Sequence, residues 1–183
     1  MRSSKQLRDA VLFVDLEATC WKGNPPEGMY NEIIEIGIAV VDFKTKEVIE
    51  SDSIIVKPKY SEISYFCTEL TTITPEFIEQ HGIPFPDACK ILREKFKSKQ
   101  RLFCSWGKYD YNQINNDCRL HGIEFPMGRE HYNLKPLFSF KHGLTEDKGV
   151  DTALQYLGLE FEGTHHRGVD DAKNIAKILK TML

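Results

Sequence analysis

Two stretches near the start of the chain are apolar on both alternating faces. Val11–Leu16 (VLFVDL) is unbroken until the acid at 15, and Ile33–Val41 (IIEIGIAVV) reads the same way. That is the pattern of strands buried on both sides. Val48–Val56 (VIESDSIIV) is more polar, as suits a strand nearer an edge. The short link Asp42–Glu47 predicts a hairpin and hence antiparallel pairing, and Pro58 stops the third strand. Helical spacing follows. Pro75–His81 reads as a short helix with Thr74 as its N-cap and Pro75 at its first position. Pro86–Lys97 places Ala88, Ile91, Leu92 and Phe96 on one stripe, and Arg101–Ser105 reads as a short strand. Tyr109–His121 is a helix ended by Gly122, and Tyr132–Phe138 is a strand or loop. Val150–Leu157 is a helix ended by Gly158, and Val169–Leu183 is the last helix. Strands come first and then alternate with helices, which predicts an α/β sheet, part antiparallel and part parallel, flanked by helices.

The 183 residues predict one domain over 1–183. Lys+Arg number 24 against 27 Asp+Glu, a net charge of −3, which argues against a general nucleic-acid coating protein. It leaves room for an enzyme that grips nucleic acid locally through metal ions. Cysteines 20, 67, 89, 104 and 118 are odd in number and form no CxxC pair. They read as reduced thiols of a cytoplasmic protein. The first apolar run ends at Asp15, too short for a signal-peptide core, and nothing later approaches a membrane span. Only ten residues precede the first strand, so no further domain is expected before it.

Candidate chemistry sits where strands end. Asp15 and Glu17 point to one face, given the two-residue side-chain period. In open α/β sheets ligands bind at the carboxyl ends of strands, and paired carboxylates suit Mg²⁺ or Mn²⁺. Two solvated acids at a loop start would show the same spacing. In the last helix, Asp171 shares a stripe with Ile175, Ile178 and Leu179, whereas Asp170 leans toward the lysines. The helix dipole accounts for Asp170. An inward Asp171 needs a partner, because an unpaired buried carboxylate is costly. His165 and His166 lie just ahead, either as loop histidines or, for His166, as the companion of Asp171 able to take a proton from water. Asp110 opens a helix straight after a strand, a position that helix-start chemistry also explains. Together Asp15, Glu17, Asp110 and Asp171 can converge on one sheet edge, which with a histidine specifies a two-metal phosphoryl site.

The motifs Asp15-Leu-Glu-Ala-Thr-Cys20, Ser105-Trp-Gly-Lys-Tyr-Asp110 and His166-Arg-Gly-Val-Asp-Asp171 resemble those of the DEDDh 3′–5′ exonucleases of the ribonuclease-H-like superfamily. More narrowly the chain resembles the Eri-type group, which includes the histone-mRNA 3′-end exonuclease and bacterial relatives linked to sporulation control. Gly23–Glu27, Asn31–Ile36, Phe66-Cys67, Leu70–Thr74 and Asp170–Ala176 carry that match. Thr72 stands where the family often has glycine. The resemblance implies a mixed five-stranded sheet with its second strand antiparallel, flanked by helices. It implies metal binding by Asp15, Glu17, Asp110 and Asp171, with His166 as general base. It also implies contacts to the terminal nucleotide from the backbone at Ala18 and Thr19 and from the side chain of Leu70.

The expected activity is metal-dependent 3′–5′ hydrolysis of single-stranded nucleic acid, RNA in preference to DNA, releasing nucleoside 5′-monophosphates with two Mg²⁺ or Mn²⁺ ions. The alternatives are a proofreading-type DNA 3′ exonuclease and a regulatory nucleic-acid- or protein-binding module that keeps the fold. Trp21, Trp106, Tyr65 and Phe66 are candidates for stacking on bases, Trp21 first among them, or for the core. Lys95, Lys97, Lys99 and Arg101 form a basic cluster, either a solvated helix end or a track for a phosphate backbone.

Overall fold

The computed structural model describes residues 6–183. The first strand, β1 (Ala10–Ala18), lies at the centre of the sheet and pairs antiparallel with β2 (Ile33–Asp42). The turn over 43–47 returns the chain as β3 (Val48–Lys57), antiparallel to β2. The hairpin and the polar, near-edge character of β3 are as the pattern predicts. Two short helices follow, α1 (Tyr65–Thr71) and α2 (Pro75–His81). The Thr74 hydroxyl caps α2 by accepting from Phe77 N at 3.1 Å, with Pro75 in the first turn.

Among the described residues the sheet has six strands, in order β4-β3-β2-β1-β5-β6, where the resemblance implies five. The strands β4 (Ile83–Pro84) and β6 (His131–Asn133) extend its two edges. The two residues of β4 carry no readable alternation, so that strand exists only through its pairing, whereas β6 falls at the start of the expected strand or loop over 132–138. The strand β5 (Leu102–Ser105) runs parallel to β1, and β6 parallel to β5. The remaining helices are α3 (Phe85–Glu94), α4 (Tyr109–His121), α5 (Leu134–His142), α6 (Val150–Tyr156) and α7 (Gly168–Met182). The expected helix over 86–97 starts one residue earlier and ends three earlier, and most of the expected segment 132–138 is the start of α5.

Strand parity sorts the core into two layers. Leu12, Val14, Leu16, Ile36, Ile38 and Val40 face α3 and pack with Phe85, Leu92 and Phe103. Val11, Phe13, Ala39 and Val41 face the other way, against Ala172, Ile175 and Ile178 of α7. Each Val, Leu, Ile or Phe side chain among them, taken from water, contributes about 1.5–3 kcal/mol. Asp15 and Glu17 continue the second face, which puts them under the start of α7.

Candidate active site

Three carboxylates meet at this edge. One oxygen each from Asp15, Glu17 and Asp171 lie within 4.8 Å of one another. The cross-strand register sets Asp15 opposite Gly37 and Glu17 opposite Glu35. Gly37 is what lets α7 come close: a Cβ there would stand 1.8 Å from the carbonyl carbon of Gly168. Gly168 in turn could not carry a side chain, since a Cβ would meet the Asp15 carbonyl oxygen at 2.8 Å. This backbone-to-backbone seat brings the first turn of α7 onto β1 and β2, so Asp171, three residues on, lands beside Asp15.

Asp110 is 4% exposed, and its Oδ1 accepts from Leu16 N at 3.1 Å. It stands beside Asp15 but outside the group of three within 4.8 Å. The turn ahead of it is held by Asn133, whose Oδ1 accepts from Gly107 N (2.9 Å) and Lys135 N (3.2 Å). Farther along α4, Asp117 Oδ2 accepts from Ile33 N at 2.8 Å and fixes the helix across the start of β2.

The electrostatics match a site built for cations. Burial, and then the charges of Asp110, Asp171 and Glu17, hold the Asp15 carboxyl well above the ordinary range. Glu17 is pushed up to about 8 and Asp171 to about 6, in each case chiefly by burial. Asp110 rises to about 7 through burial, against the opposing effect of its backbone hydrogen bonds. Asp171 Oδ2 is buried and has no hydrogen-bond partner among the described residues. A buried acceptor left without a donor is costly, and a divalent cation bound among these hard oxygens satisfies it. The donor set therefore fits such an ion.

Both histidines reach the acids, but crosswise to the sequence pairing. His165 Nδ1 is 3.8 Å from Asp171 Oδ1, and His166 Nδ1 is 4.0 Å from Glu17 Oε1. His165 stacks on Phe161 with centroids 4.6 Å apart. His166 holds a left-handed backbone (φ 58°), unusual for a residue with a side chain, and burial lowers the pKa of its ring.

Among the expected nucleotide contacts, Ala18 and Thr19 follow Glu17 directly and are buried, while Leu70 on α1 is 37% exposed. The Thr19 N–H is already donated to Glu32 O at 2.8 Å, which leaves it no free donor for a ligand. Trp21 is partly buried, in the stretch just after β1. Trp106 belongs to the core: it is 7% exposed, packs on Phe138 and donates Nε1–H to Lys148 O at 2.7 Å. The basic cluster is largely neutralised, with Lys95 on Asp52 (2.6 Å), Lys99 on Glu124 (2.7 Å) and Arg101 on Asp9 (2.8 Å). Thr72 ends α1 in the left-handed region (φ 63°), where a glycine would sit without strain.

The sequence reading overlooked Glu35 and Arg167. Glu35 is 0% exposed, and its Oε2 receives Arg167 Nε at 3.1 Å and Gly168 N at 3.2 Å. Its Oε1 accepts from Ser53 Oγ at 2.6 Å. An acid inside an otherwise apolar run, in register with Glu17, was the available signal.

Comparison with known proteins agrees with this geometry. The exonuclease family model matches residues 12–179. The 3′-5′ exoribonuclease 1 of Rattus norvegicus is 31% identical over 186 residues, covering 96% of this chain and 53% of the relative. The probable 3′-5′ exonuclease KapD of Bacillus subtilis (strain 168) is 29% identical, covering 94% and 83%. The chain thus spans about half the length of the exoribonuclease 1 relatives it matches. The nuclease domain of 3′hExo, a DEDDh family member solved with rAMP, superposes with a TM-score of 0.86 at 27% identity, covering 98% and 94%. Escherichia coli exonuclease I shares the fold at 14% identity and a TM-score of 0.73. Fold, acidic edge and a family match from Leu12 to Leu179 agree: the chain belongs to the exonuclease family, in its DEDDh group.

Proposed function

We propose that this chain is a metal-dependent 3′–5′ exonuclease that removes nucleoside 5′-monophosphates from the 3′ end of single-stranded nucleic acid, RNA in preference to DNA. The observation that carries the reading is the triad of carboxylate oxygens within 4.8 Å, one of its residues with a buried, unpartnered oxygen. In this reading Asp15 and Asp171 hold one divalent ion, Mg²⁺ or Mn²⁺, and Asp15, Glu17 and Asp110 hold a second. Such ions, when bound, activate water and compensate charge on the departing 3′ oxygen. His166 takes the proton of the attacking water; its exposed ring and lowered pKa keep it available as a neutral base at pH 7. Ala18, Thr19, Leu70 and Trp21 flank the terminal nucleotide, with Leu70 and Trp21 presenting side-chain surface to the base.

The preference for RNA rests on the exoribonuclease relatives. The test is digestion of 5′-labelled single-stranded RNA and DNA oligomers in Mg²⁺ or Mn²⁺, with EDTA and Asp15→Asn as controls. A ladder shortening from the 3′ end, faster on RNA and abolished by either control, is expected. Intact oligomers in both metals overturn the reading.

A further inference from the structure

Glu35 and Arg167 lie beside the carboxylates that the proposed reaction uses, but none of its steps employs them. Arg167 directly follows His166 and precedes Gly168, the residue seated on Asp15. Its Nε is committed to Glu35 at 3.1 Å. The two Glu35 oxygens are also engaged, by Ser53 Oγ and Gly168 N, so the carboxylate is filled on every side. The Phe77 ring, 5.8 Å from the guanidinium carbon, covers one face. What remains is the outer edge. Among the described residues neither Nη has a protein acceptor, and neither is a buried orphan. With the side chain 26% exposed, this edge meets solvent. The guanidinium is also close enough to Glu17 to oppose the rise of that carboxyl.

A guanidinium is a rigid fork with two usable edges, and its second edge fits two oxygens of a phosphate. Here one edge is spent on a buried carboxylate and the other is presented, pre-oriented, at the rim of an otherwise acidic site. Fixing the side chain in advance removes most of the rotamer entropy that binding would cost.

Resting on the exonuclease reading, we infer that Arg167 is a substrate-binding residue that receives a non-bridging phosphate oxygen of the strand on its outer Nη edge, and that Glu35 is its positioning residue. The pairing explains why a fully buried glutamate persists in a central strand. It also supplies a positive contact at an edge where the named carboxylates would repel a polyanion.

The experiment compares wild type, Arg167→Lys, Arg167→Gln and Glu35→Gln. Anisotropy of a 5′-labelled single-stranded RNA decamer is measured in Ca²⁺ over a salt series, alongside kcat and KM in Mg²⁺. Lysine preserves a cation opposite Glu35 but has no second edge. Arg167→Lys is therefore expected to fold normally, to raise Kd and KM about tenfold, and to flatten the log Kd against log[salt] slope by about 0.7, one phosphate contact on a single strand. Arg167→Gln should do the same, and Glu35→Gln should raise KM with the salt slope kept. Wild-type Kd and slope in Arg167→Lys would mean that the pair is only scaffold for the His166 turn, and would overturn the inference while leaving the exonuclease reading intact. A wild-type chain that neither binds nor digests the decamer sinks both.

Discussion

Replacing Gly37 by alanine tests how the site is assembled. The new Cβ would sit 1.8 Å from the Gly168 carbonyl carbon, 2.1 Å from its oxygen and 2.1 Å from Val169 N, all backbone atoms that cannot swing aside. Reaching the 3.4 Å of ordinary contact requires the start of α7 to retreat by about 1.6 Å. That turn carries His166, Arg167 and Asp171, so the retreat opens the spacing between Asp171 and Asp15. Overpacking of this kind costs about 1–3 kcal/mol of stability. A misplacement of about 1 Å costs catalysis on the order of 10²-fold. Gly37→Ala should therefore remain folded with a lowered melting temperature and lose at least about 10²-fold in kcat/KM on single-stranded RNA. Gly149→Ala is the control for activity: its Cβ would find only Thr152 Oγ1, at 3.7 Å, and kcat/KM should stay at the wild-type value. Wild-type kcat/KM in Gly37→Ala would refute the claim that this glycine seat brings Asp171 to Asp15.

Other outcomes follow from the same structure. His166→Ala should retain metal binding by calorimetry but lose on the order of 10²–10⁴-fold in rate; if His165→Ala shows that loss instead, the base is the histidine next to Asp171. The metal-free protein should lose stability as pH rises from about 4.5 to about 8. Glu17 binds its proton more tightly folded (about 8) than unfolded (4.5), so the folded state holds more protons across that window. Thermal melts in EDTA should show the decline and Glu17→Gln should flatten it; melts that improve with pH contradict the assigned burial. Asp117→Ala strands the Ile33 N–H and one of the two Gln113 amide N–H groups, the other staying on Asn31 O, at about 1–3 kcal/mol for each unsatisfied donor, readable in urea titration. Thr72→Gly relieves a β-branched residue at φ 63° and should be neutral or stabilising by about 1 kcal/mol, with a drop in melting temperature as the contrary result.

Much of this was legible because it is local. Apolar runs identified the two leading strands, the short link over 42–47 implied that the second and third pair antiparallel, and Thr74-Pro75 marked a helix start, since each depends on residues adjacent in the chain. The two-residue period put Asp15 and Glu17 on one face, and the helical period turned Asp171 inward and Asp170 outward; the structure has Asp171 at 6% exposure and Asp170 paired with Lys173. What could not be read depends on distance between elements. The edge strand β4 exists through pairing alone. Which histidine faces which acid follows from the left-handed turn at His166, a backbone state that a non-glycine residue does not announce. Nothing local in the sequence marks Gly37 or Glu35 for its role. Only the packing of α7 onto β2 makes one a seat and the other an anchor for Arg167. Side-chain periodicity is a property of one segment, whereas burial of charge and close backbone approach are properties of two, and the second kind decided the geometry of this site.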